Sequence, residues 1–170
     1  MNAHRFAEFL WLQFGGSLEM FEDAIERCPK ETWNDSSREP RFWYVAYHTL
    51  FWLDLYLGGT LDGFHPPAPF TLDELKPEGV LPEPVYSNDV LRRYLAHCRA
   101  KCRRTLADLT DAGAERECVF PRRTYRFAEL LLYNLRHLQH HVGQLNLLLR
   151  ERSGIAAVWV GRTEVPLRSQ

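Results

Sequence analysis

Apolar residues between Leu10 and Cys28 recur at Leu10, Phe14, Leu18, Phe21, Ile25 and Cys28. Steps of three and four predict a helix from Ala3 to about Cys28, ended by Pro29. Gly15-Gly16 sits in its middle, where each glycine costs about 1 kcal/mol relative to alanine. The pair predicts either a kink or the close approach of another backbone. Thr32 to Arg38 is polar and reads as a loop, and Pro40 suits the start of a second helix. That helix, Arg41 to Leu57, is apolar on nearly every side and is stopped by Gly58-Gly59.

Thr60 to Asn88 is rich in proline and carries no periodicity. It reads as a long crossover between the second and third helices. A connection that merely spans the bundle end accounts for it, and a lid is the second reading. Ser87 or Asn88 caps a third helix running to about Ala112. Its stripe is Leu91, Leu95, Cys98, Cys102, Leu106 and Leu109, and its other face carries Arg92, Arg93, Arg99, Lys101, Arg103 and Arg104. Glu117 to Tyr125 is rich in β-formers and could pair locally. Phe127 to Arg150 is a proline-free fourth helix, and Ile155 to Gln170 is an irregular or short extended tail. The pattern predicts an all-α chain, a four-helix bundle with a long crossover between helices two and three, in one domain over residues 1–170.

The fourth helix holds the candidate chemistry. His137 and His141 stand one turn apart, about 6 Å along the axis. With Phe127, Leu130, Asn134 and Leu145 they follow the core-facing stripe. On the second helix, His48 lies among Tyr44, Val45, Phe51 and Trp52. Three inward histidines each need a polar partner, and a shared divalent ion satisfies all three. The bland reading is that His137 and His141 are surface or hydrogen-bonded core histidines with no ion. Tyr44 and Trp52 are candidate pocket residues, and Asn134 and Gln144 either orient an imidazole or are ordinary amides. His140 points about 100° away from His141 and reads as a residue behind the ligands or at the surface, with replacement of His137 as the lesser alternative.

These residues resemble the DinB/YfiT-like superfamily. The resemblance rests on one histidine in helix two, then His137-x3-His141-x-Gly143-Gln144, with Trp33 before helix two. It implies a four-helix bundle with His48, His137 and His141 as metal ligands. The family commonly has arginine before Gly-Gln, where this chain has Val142. Zn²⁺, Ni²⁺ or Fe²⁺ suits three neutral imidazoles. Because the family includes transferases and isomerases that use low-molecular-weight thiols, the resemblance implies metal-assisted transfer or hydrolysis on a small molecule. A non-catalytic metal-binding or stress-response module is the alternative, favoured by the lack of an obvious general base. Glu8, Glu19 and Asp54 read as surface charges.

Composition narrows the partners. The chain of 170 residues has net charge −1, which gives no support for nucleic acid. No apolar run is long enough for a membrane span. Cys28, Cys98, Cys102 and Cys118 form no C-x2-C pair, and a cytoplasmic protein with free thiols is expected. Cys98 and Cys102 read as small core hydrophobes. The all-round apolar second helix adds the expectation of a homodimer.

Overall fold

The computed structural model describes residues 2–37, 39–76, 82 and 84–168. The parts of the expected crossover at 77–81 and 83 lie outside them. Four long helices form the bundle: α1 (Ala3–Arg27), α3 (Phe42–Gly58), α4 (Asn88–Ala107) and α6 (Phe127–Ser153), with short helices α2 (Lys30–Trp33) and α5 (Asp111–Glu115) between them. An antiparallel hairpin, β1 (Glu117–Phe120) and β2 (Arg123–Arg126), precedes α6 and realises the expected local pairing. Each long helix packs against two others, in the ring α1, α4, α3, α6.

Polar contacts set the directions. The Cys98 thiol reaches the Leu50 carbonyl, and Lys101 reaches Asp54, so α3 and α4 run the same way. Two parallel neighbours need a connection that returns the whole length of a helix, which is why the crossover is long. Asn134 donates to the Leu53 carbonyl, while His48 stands beside His137 and His141, so α6 runs against α3.

The third expected helix is shorter than periodicity suggested. It ends at Ala107 rather than near Ala112, and Thr110 starts α5 by accepting from the Gly113 N–H. A hydroxyl placed to cap a new helix competes with continuation of the old one. The polar loop expected from Thr32 is likewise entered through one helical turn at Lys30–Trp33.

Helix α3 is covered by its own chain. Trp43, Tyr47, Leu50, Phe51, Leu53 and Leu55 are all buried. Only Tyr44, His48, Trp52 and Tyr56, at steps of four, stay half-open before its C-terminal Gly58. Tyr47 stacks on Phe70 of the crossover, and Phe70 stacks on Tyr94 of α4. Full burial of each such ring contributes about 2–3 kcal/mol. Apolarity all round this helix is thus accounted for within one chain. The chain leaves it at Gly59, whose φ of 78° is the left-handed region open to glycine.

Helix α1 does not break at Gly15-Gly16. The C-terminal tail crosses it there: the Thr163 N–H donates to the Leu12 carbonyl at 2.9 Å, and Trp11 Nε1 donates to the Val165 carbonyl at 2.7 Å. A Cβ on Gly15 would enter the Thr163 side chain, and one on Gly16 would stand 3.0 Å from Arg162 Cα. Gly15→Ala is therefore expected to displace the tail and cost roughly 1–3 kcal/mol. Denaturant unfolding with limited proteolysis of the tail checks this, and unchanged stability with a protected tail would show the contact to be dispensable.

The basic face of α4 pairs with the acids of α1, through Arg99 with Glu22 at 2.7 Å and Arg92 with Glu26 at 2.6 Å. Such pairs at the solvent boundary are worth about 0–1 kcal/mol each. No helix among the described residues is long and apolar enough to cross a membrane.

Candidate metal centre

The half-open stripe of α3 faces α6, and the three histidines meet between them. His48, His137 and His141 each offer one nitrogen within 4.8 Å of the others, the one such group of potential ligands among the described residues. Nε2 of His137 and Nε2 of His141 are 3.1 Å apart. An ion about 2.1 Å from each of two nitrogens in tetrahedral array sets them about 3.4 Å apart. The pair on α6 stands about 0.3 Å inside that spacing, and one His48 nitrogen lies within 4.8 Å of both.

The outward nitrogens decide which lone pairs face the centre. Gln144 Oε1 lies 2.6 Å from His141 Nδ1. With that oxygen accepting, Nδ1 carries the proton and Nε2 presents a lone pair inward. His48 Nδ1 is held by Glu74 Oε1, which leaves its Nε2 for the centre. Nδ1 of His137 is buried with no partner. Without a cation, the adjoining Nε2 atoms of His137 and His141 need a proton between them. With one, both lone pairs are satisfied, so this donor set fits a divalent ion.

Glu74 belongs to the crossover, in a 3-10 turn at Asp73–Leu75. Its side chain is 5% exposed. It also accepts from Trp52 Nε1 at 3.3 Å and from the Tyr44 hydroxyl at 3.3 Å. Burial and the Glu74 charge raise the Tyr44 phenol to about 12, so it stays a donor. The simple spanning crossover is corrected here, because this segment delivers a carboxylate to the histidines. Only position hid it: a lone acid in an aperiodic stretch has no register to place it.

Burial pushes His137 down to about 3, helped by His141, His48 and His140. Burial likewise lowers His141 to about 4, against the opposing Gln144 hydrogen bond. Both rings are thus neutral at pH 7, the state that binds metal. Their folded values lie below the unfolded value near 6.5, so the unfolded chain binds more protons in between. Their stabilising contribution is complete above about pH 6.5 and is lost as pH falls through about 4 and then 3. Denaturant midpoints of metal-free protein should therefore fall across this window, and fall less in His137→Leu. Equal slopes for the two proteins would contradict the assignment.

The other expected residues separate clearly. Tyr44 and Trp52 wall the centre through Glu74, and Gln144 orients His141. Asn134 is fully buried but donates to the Leu53 carbonyl, tying α6 to α3 and touching no ligand. His140 is exposed and lies outside the ligand group, with its ring centroid 5.0 Å from that of His141. Asp54 is not a surface charge: its side chain is 1% exposed, held by Lys101 at 2.6 Å and Tyr94 at 3.1 Å. Glu8 is half-exposed beside His4 and Arg5, and Glu19 accepts from Thr163 of the tail. Cys98 and Cys102 are fully buried and their thiols are pushed up by burial.

A cavity of about 650 Å³ lies elsewhere, between α1, α4 and the tail. Arg99, Arg103 and Arg168 on its walls already donate to Glu22 or to backbone carbonyls. A recess of about 500 Å³ adjoins the histidines instead, sharing Trp52, Tyr56, Glu74 and Tyr133 with their surroundings.

Fold and site together define a helical bundle carrying a three-histidine cluster suited to a divalent metal. The chain belongs to the DinB superfamily, whose family model matches residues 13–145. Comparison with curated proteins and with solved structures gave no match.

Proposed function

We propose that this chain is a metal-dependent enzyme acting on a small molecule by transfer or hydrolysis. His48, His137 and His141 hold the ion, which is Zn²⁺, Ni²⁺ or Fe²⁺. A low-molecular-weight thiol is the proposed co-substrate of the transfer. The observation that carries this reading is the convergence of the three rings, with Nε2 atoms 3.1 Å apart on α6. When bound, such an ion supplies Lewis acidity and draws the pKa of a water or thiol toward neutrality.

The chain supplies the rest. Glu74 and Gln144 hold two imidazoles by their outward nitrogens, which sets both tautomer and ring angle. Trp52, Tyr56 and Tyr133 give one side of the centre an aromatic wall, with their rings within 6.4 Å of His48 or His137, centroid to centroid. The non-catalytic reading draws its support from the lack of an obvious general base, and Glu74, whose oxygens are taken up by His48, Tyr44 and Trp52, serves to position a ligand rather than as a free base. The test is turnover of thiol–electrophile pairs and of simple esters by protein reconstituted with each metal. Metal-dependent turnover is expected. Tightly held metal with no turnover of any pair would favour the binding module.

Association of two copies in the cytoplasm is also proposed. Leu132, Arg136, His140, Gly143 and Leu147 are exposed along one side of α6 and would form the contact. A monomer by light scattering at micromolar concentration would remove this proposal.

A further inference from the structure

The recess beside the histidines has walls of two kinds. Trp52 and Tyr56 of α3, Phe120 of β1 and Tyr133 of α6 give it flat apolar faces. Arg122 and Arg123, from the hairpin turn and the start of β2, give it positive charge. Glu74 borders the same space, but its oxygens are taken up by His48, Tyr44 and Trp52. The neighbours that act on Arg123 are the phenol groups of Tyr125, Tyr133 and Tyr56, none of them a carboxylate. No ion pair among the described residues includes Arg122 or Arg123.

Geometry ties this space to the histidines. Tyr133 stacks on His137 with centroids 6.4 Å apart, Tyr56 meets the same ring edge-on at 6.1 Å, and Trp52 lies 6.2 Å from His48. A molecule lying along these aromatics therefore has one end toward the histidines and the other toward the hairpin turn. Guanidinium groups bind carboxylates through paired N–H donors, and aromatic faces favour flat apolar bodies. A recess of about 500 Å³ is the size of a small-ligand site.

We propose that the recess between α3, α6 and the hairpin binds a small molecule that joins a flat apolar body to a carboxylate. The body lies on Trp52, Tyr56 and Tyr133, and the carboxylate pairs with Arg122 and Arg123. This deepens the enzyme reading by naming its substrate class, and it rests on that reading only for what happens at the histidine end.

The experiment titrates 3-phenylpropanoate and its neutral analogue 3-phenylpropanamide into the full chain, followed by calorimetry and tryptophan fluorescence. The carboxylate should bind at least about tenfold more tightly. The Arg122→Gln, Arg123→Gln double variant should bring the carboxylate to the level of the amide, with metal content and circular dichroism unchanged. Equal affinities in the wild-type protein, no binding of either compound at millimolar concentration, or a preference that survives in the arginine variant would each overturn the assignment. Repeating the titration after chelation separates the two readings. A preference kept without metal supports the arginines. One lost on chelation makes the anion a ligand of the ion and overturns their role, while the metal centre stands. A wild-type protein that holds no metal yet prefers the carboxylate would remove the enzyme reading and leave the recess.

Discussion

The His137→Ala, His141→Ala double variant should be purified with less than about one tenth of the metal carried by the wild-type protein, because one imidazole alone cannot retain a divalent ion that three protein ligands hold. Both side chains lie on α6, are half-exposed, and are replaced by the best helix former, so the fold should persist. Elemental analysis reads the loss directly. Thermal unfolding reads it a second way, since an ion at a hundred times its Kd adds about 2.7 kcal/mol to the wild-type protein and nothing to the variant. Glu74→Gln and Gln144→Ala leave the three ligand imidazoles in place, act on the outward nitrogens of His48 and His141 (Glu74→Gln also on Tyr44 and Trp52), and should weaken metal affinity by roughly 10–100-fold each. Full stoichiometric metal in the double variant would remove the proposed centre.

Lys101→Met should destabilise the protein by about 3–5 kcal/mol, the cost of leaving a buried carboxylate without its cation. Lys101, itself a quarter exposed, meets the buried Asp54 at Oδ1 (2.6 Å) and at its carbonyl (2.8 Å) between α3 and α4. Tyr94 at 3.1 Å and His97 at 3.4 Å remain, but neither is a permanent charge. For a chain of this size the melting temperature should fall by roughly 10 °C. Adding Asp54→Asn to Lys101→Met should recover most of the loss, because the stranded charge disappears while the Tyr94 contact can persist. A double variant as unstable as the single one would place the cost in the packing of the lysine stem rather than in the ion pair.

These two groups of residues differ in how far they could be read in advance. His137 and His141 lie on a helix whose apolar neighbours mark its inward face, and a spacing of four puts both rings on it. His48 sits among aromatics on another apolar helix, and the family resemblance joined the two. Asp54 lies on that same helix, yet read as a surface charge. Its partner is 47 residues further on, on α4. Nothing near position 54 shows that a lysine waits there.

The same division runs through the fold. Glycine stops, the proline at the end of α1, caps at Ser87 and apolar periodicity located the four long helices, because each is a property of a few neighbouring residues. The C-terminal end of α4 was misplaced by about five residues, since the competing cap at Thr110 is indistinguishable from a helical threonine until its hydroxyl is seen on Gly113.

The amino-acid order by itself therefore determined the four long helices, where the first, second and last of them end, and the faces that carry His48, His137 and His141. Tertiary structure alone decided that Glu74 closes on His48, that Lys101 neutralises Asp54, that Thr163 fills the space over Gly15, and that α3 is enclosed by its own chain. Helical registers arise from the 3.6-residue repeat and are written locally. The landing points of the crossover and the tail arise from packing between segments distant in the chain, for which no local repeat exists.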